Sequence, residues 1–185
     1  MTMESYNMKE KINGRIIWNA ASKTGLIFAA VTIACTLLKN GAAAIMSGFP
    51  LTLTAIVLWA LQFFGCIFLM RFFMKKLVSD FDDVTNAETF KLGRRIALFS
   101  AFLVAGFSAI MVLVKPETIT EAFDTAIAQY SSMLDSNSLS AIESMKENMP
   151  VITFFSTFIY CFLYGYILSF IMSRYFPDSN PFKNE

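Results

Sequence analysis

The sequence predicts an all-α integral membrane protein: four transmembrane helices in an antiparallel bundle, with an extracytoplasmic amphipathic helical hairpin between spans 3 and 4. Three observations predict it. Apolar residues make up 56% of the 185-residue chain and charged residues 16%, whereas soluble domains carry about 25% charged residues. No charged residue falls within 40–70 or within 96–114, and a bilayer core of roughly 30 Å takes about 20 helical residues. Lysine and arginine are gathered between these runs instead of being spread along them. All of 1–185 reads as a single membrane domain.

Taken in order, the first 20 or so residues are polar to amphipathic. Ile12, Ile16 and Ile17 share one helical face, and Trp18 suits the interface level. With no small-residue cleavage site after a short apolar core, the first span reads as an uncleaved signal anchor. Span 1 is placed at 20–38, with Lys23 snorkelling at one face and Lys39 closing the other end. Ala21, Gly25 and Ala29 recur every four residues, a close-packing stripe of the small-xxx-small kind. A turn over 40–48 contains Gly41 and Gly48, and Pro50 suits the first turn of the next helix.

Span 2 covers 49–70. Gln62 is its only strongly polar member and reads as an interhelix bond ahead of a substrate contact. A basic connection follows over 71–95. Phe72, Phe73, Leu77 and Phe81 extend the helix past the membrane surface, and Asp80, Asp82 and Asp83 end it. Thr85 with Glu88 three residues on reads as a capping box, which starts a new helix near Asn86 running into span 3 at 96–114. Ala101, Ala105 and Ala109 form a second small stripe there.

The segment 115–149 is too polar to span, yet Phe123, Ile127, Tyr130 and Leu134 recur at helical spacing. Two amphipathic helices joined near Asn137 fit both facts, with Phe123, Ile127 and Tyr130 facing inward over the end of the bundle. The segment reads as a passive cap or as a partner surface centred on Glu117, Glu121 and Asp124. Span 4, at 150–173, is the most aromatic and carries the stripe Cys161, Gly165, Ser169 and Ser173. The tail, 174–185, contains Pro177 and Pro181 and reads as extended.

Sidedness follows from counting cations. The N-terminal segment, the basic connection and the tail together hold twelve of the fifteen Lys and Arg residues; Lys39, Lys115 and Lys146 lie on the other side. The positive-inside rule then puts both termini and the connection in the cytoplasm. The expected location is a bacterial inner membrane.

The stretch Glu88-Thr89-Phe90-Lys91-Leu92-Gly93, then an apolar run and Lys115-Pro116-Glu117, is one half of a resemblance. The end, Gly165 to Ser173 and a polar tail closing on Asn180-Pro181-Phe182, is the other. Together they resemble a bacterial family of four-span membrane proteins catalogued as domain of unknown function 4199, common in Bacteroidetes-type bacteria. The resemblance covers about Trp18 to Phe182. It implies an architecture and no catalytic residues. Where many relatives have a Gly-rich polar turn after the second span, this chain has Ser79-Asp80-Phe81-Asp82-Asp83.

The chemistry-bearing residues are few. There is no histidine, the commonest general base and metal ligand. Cys35, Cys66 and Cys161 each sit inside an apolar run, form no CxxC pair and read as small apolar residues ahead of a disulfide or metal set. With a net charge of +1, nothing recruits nucleic acid. No cofactor, metal or catalytic residue is expected. The leading expectation is a non-enzymatic accessory or assembly partner in the bilayer, contacting another membrane protein or a second copy. Its helix-packing residues would be Gly25, Ala29, Ala101, Ala105, Ala109, Gly165 and Ser169. The runner-up is a small oligomeric transporter or channel, although the inner parts of all four spans read as free of ionisable groups. A membrane enzyme built on Asp80, Asp82 and Asp83 comes last.

Overall fold

The computed structural model describes residues 13–81, 84–130 and 135–176. These form six helices: α1 (Gly14–Ile45), α2 (Phe49–Asp80), α3 (Asn86–Val114), α4 (Pro116–Tyr130), α5 (Ser136–Glu147) and α6 (Met149–Ser173). Helices α1, α2, α3 and α6 are long and apolar enough to cross a membrane. The protein is thus all-helical over the described residues, with four candidate membrane-spanning helices. Many of their large apolar side chains are exposed, among them Leu53, Ile56, Phe64, Phe68, Phe102, Ile110 and Ile159. Exposed apolar surface on this scale is the mark of a lipid-facing protein.

Helix starts follow local chemistry. The Asn13 side chain accepts from the backbone N–H of Arg15 and Ile16 at 2.9 and 3.0 Å, which caps α1. Gly48, at φ +67°, turns the chain in a conformation that favours glycine, and Pro50 occupies the first turn of α2. At α3 the Thr85 N–H donates to Glu88 Oε2 at 2.9 Å, the return arm of the capping box. The Asp135 carboxylate accepts from Ser138 N–H at 2.8 Å and caps α5.

Several boundaries differ from expectation. Helix α1 does not end at Leu38 or Lys39 but runs on through Gly41 to Ile45, so the turn shrinks to 46–48. Ala42, Ala43 and Ala44 are the reason: alanine is the strongest helix former and nothing there stops the helix. At its other end, α1 begins at Gly14, continuous with the amphipathic stretch. The basic connection is as expected: α2 runs on to Asp80 and α3 starts at Asn86. The second amphipathic helix begins at Ser136, close to the expected joint near Asn137. Tyr130 is 52% exposed and does not face inward, whereas Phe123 and Ile127 are half-buried. Lys9, Lys11, Ile12, Asp82, Asp83, Leu134 and the tail from Pro177, with Lys183, lie outside the described residues.

The chain divides into two compact units. The first comprises 1–100 and 162–185, and so contains α1, α2, the start of α3 and the end of α6. Its core is one cluster of Ile17, Ala21, Phe28, Cys66, Met70, Met74, Leu77, Val84, Leu92, Ile96 and Met172. In α2 the buried residues are Cys66, Met70, Met74 and Leu77, all in its second half. The second unit is 101–161, with the rest of α3, then α4, α5 and the start of α6. Phe154 anchors it, edge-on to Phe102 with centroids 5.8 Å apart and stacked on Phe158 at 6.3 Å. Helices α4 and α5 are tied by Lys146 Nζ to Asp124 Oδ1 at 3.1 Å.

Candidate functional site

Two sets of residues stand out in the first unit: the points where helix backbones come closest, and a polar pair inside the spans. The close approaches centre on α3. At Gly25 of α1, a Cβ would lie 2.6 Å from Phe99 Cβ and 3.2 Å from the Ile96 carbonyl oxygen. At Gly165 of α6, it would lie 2.6 Å from Ala97 Cβ. Real Cβ atoms do not come so near, so glycine is what lets α1 and α6 reach α3. The partners of α3 on α6 descend in number as α3 ascends: Phe90 with Phe170, Ala97 with Gly165. These two segments therefore run antiparallel. Ser169, fully buried, donates its hydroxyl to the Phe90 carbonyl at 3.2 Å.

Sequence spacing passed over Gly93. A Cβ there would collide with Ser169 Oγ and would stand 2.5 Å from Met74 Cε. Gly93 is thus where α2, α3 and α6 meet. The available signal was a glycine kept inside a helix, at a cost of about 1 kcal/mol relative to alanine, four residues before Ala97. Ala29, Ala101 and Ala105 are buried, whereas Ala109 is only half-buried.

The polar pair joins α1 and α2. Lys39 Nζ donates to Gln62 Oε1 at 3.3 Å. Phe28 packs near Phe73, centroids 6.5 Å apart. Read with the Lys39–Gln62 bond, this shows α1 and α2 antiparallel. Gln62 lies 13 residues from Phe49 and nine from Arg71, or about 20 and 13 Å at 1.5 Å per residue. The expectation that Lys39 closes the first helix is corrected: α1 runs six residues further, to Ile45, and Lys39 lies inward of the helix end.

Cations also cluster where α3 begins. Arg95 donates to the Gly14 carbonyl at 3.0 Å and lies over the Trp18 ring at 4.9 Å. Arg174 covers the Phe170 ring at 4.7 Å.

The acidic residues of α4 are dispersed. Glu117, Glu121 and Asp124 are exposed, and Asp124 is held by Lys146. Asp80 is exposed, and among the described residues no three His, Cys, Asp or Glu side chains group as metal ligands. Outside the spans, hydrogen bonds from Ser138, side chain first and then backbone, hold the Asp135 carboxyl below the usual carboxylate range.

No protein-family model matches the chain, and no curated protein or solved structure matches it.

Proposed function

We propose that the protein is an inner-membrane protein acting by contact, as a non-enzymatic accessory or assembly partner of another membrane protein. In this reading the four long helices form one antiparallel bundle, with both termini in the cytoplasm and α4 and α5 as an extracytoplasmic hairpin. The resemblance to the domain of unknown function 4199 family would fit this architecture. The observation that carries the functional reading is α4. It is a formed helix, distinct from the spans, and it presents Glu117 and Glu121 to solvent. Ordered polar segments of this size in so small a membrane protein are where contacts are made.

Two experiments test it. With the native cysteines replaced, Ser136→Cys should react with an impermeant maleimide on intact cells and Ser79→Cys should not; the reverse overturns the orientation. Glu121→Lys with Asp124→Lys should abolish co-purification of the bound membrane partner. Full recovery of that partner rules out α4 as the contact.

One observation favours a second reading, a small oligomeric transporter. Ionisable groups inside spans usually mark a path for ions or protons, and in this reading Lys39, bonded to Gln62, is such a group. Solute or proton flux into proteoliposomes that is lost in Lys39→Met supports it, and absence of flux from the unaltered protein ends it.

A further inference from the structure

A groove in the first unit lies between α2 and the end of α6, with a volume of about 620 Å³. Phe63, Ile67, Ile167, Leu168 and Ile171 make its apolar length, and Arg71 is its only charged group among the described residues. The polar end is defined by Arg71, with Tyr175 also in the lining. The far end is closed by Tyr164, whose hydroxyl lies 3.5 Å from the Phe63 carbonyl oxygen. Arg71 is exposed, and no ion pair or hydrogen bond engages it among the described residues. Lys75 and Lys76 follow one turn on along α2, and Arg174 precedes Tyr175.

We propose that this groove binds one anionic phospholipid, an acyl chain lying along it and the headgroup phosphate against Arg71. The inference goes beyond the contact role proposed above and does not depend on it. Length and charge select the occupant. From Phe63 to Arg71 the groove runs eight residues of α2, about 12 Å. An apolar length of this size ending at a single cation matches an acyl chain below an anionic headgroup. Charge selects the headgroup: a guanidinium pairs with phosphate in a fork of two hydrogen bonds, and neighbouring cations raise the local pull on anionic lipid. Among the described residues no acid lines the groove to oppose it. A soluble phosphate would use Arg71 but leave the apolar length without a role.

Native mass spectrometry of the full chain in detergent, with dioleoyl phosphatidylglycerol and dioleoyl phosphatidylcholine at equal concentration, tests this. One phosphatidylglycerol should be retained roughly tenfold over phosphatidylcholine: both carry the phosphate, but the choline cation cancels its charge and is repelled by Arg71 and the neighbouring lysines, each cation counting for roughly fivefold. Arg71→Ala should remove the preference and Arg71→Lys should keep part of it. Ile167→Trp should fill the groove and lower retention of both lipids. Equal retention of the two lipids by the unaltered chain overturns the proposal, as does phosphatidylglycerol binding unchanged by Arg71→Ala and Ile167→Trp. A benzophenone-bearing residue in place of Ile167, photolysed in vesicles containing phosphatidylglycerol, gives a check that does not need the Arg71 variants to fold. A lipid adduct is expected. A cross-link to a second copy, or to this chain's own tail, overturns the assignment.

Discussion

In the first unit the larger buried apolar side chains form one cluster from Ile17 to Met172. In the second, Ala101, Val104 and Ala105 are the buried ones among the described residues. Both units are built from formed helices, so the difference is not one of secondary structure. It lies in how near the helix backbones come. Lipid tails are as apolar as leucine, so no hydrophobic force drives helix against helix in a bilayer, and close van der Waals contact has to do it. The first unit has Gly25, Gly93 and Gly165 at its crossings. The second unit's Gly106 has no atom within 4 Å of where a Cβ would be. Its aromatic pairs around Phe154 are larger and looser contacts.

That contrast can be broken most sharply at Gly93. Gly93→Leu should destabilise the detergent-solubilised protein by about 3 kcal/mol or more, the upper range for overpacking, because Ser169 and Met74 both stand in the way. Gly106→Leu in the second unit should leave thermal stability the same or slightly higher, since leucine is a better helix former than glycine. Equal effects at the two positions would erase the distinction.

Gly165→Ile comes next. Its single obstacle is Ala97, and the expected cost is about 1–3 kcal/mol in thermal or denaturant unfolding. Gly165→Ala should cost less, and Gly165→Ala combined with Ala97→Gly should recover much of the loss. An additive double variant would mean the two residues do not share a crossing.

Lys39→Met sharpens the comparison inside the first unit. Interhelical polar bonds in membranes average about 0.6 kcal/mol, so stability should change by less than about 1 kcal/mol. A large loss would show the polar pair holding α1 to α2 well beyond an ordinary interhelical bond.

The smallest effect belongs to the second unit. The Asp135 carboxyl titrates below its ordinary range because Ser138 stabilises its charged form. Its contribution to α5 is therefore fully present above the ordinary carboxylate pKa and is lost as pH falls through the lowered folded value. Amide exchange, corrected for its intrinsic pH dependence, should show reduced protection in the first turn of α5 at that acid limit. Asp135→Ala should show the same reduction at neutral pH, with protection in α1 and α2 unchanged.

Composition and charge segregation carried the class. Charge-free runs long enough to span are a property of the chain alone, as are the capping residues Thr85, Glu88 and Pro50. The four-residue spacing also singled out Gly25 and Gly165, because residues four apart share a helical face whatever that face meets. Three things were decided only in three dimensions. That Lys39 bonds Gln62 depends on α2 packing against α1 at that height, whereas the run of α1 through Ala42, Ala43 and Ala44 is a local matter of helix propensity. Gly93 matters because α2 and α6 both approach it, and a single helix's periodicity holds no information about its neighbours. The groove at Arg71 exists because α6 lies against α2 along residues a hundred positions apart in sequence. Local sequence fixes which residues share a helical face; which faces meet depends on the packing of all the helices together.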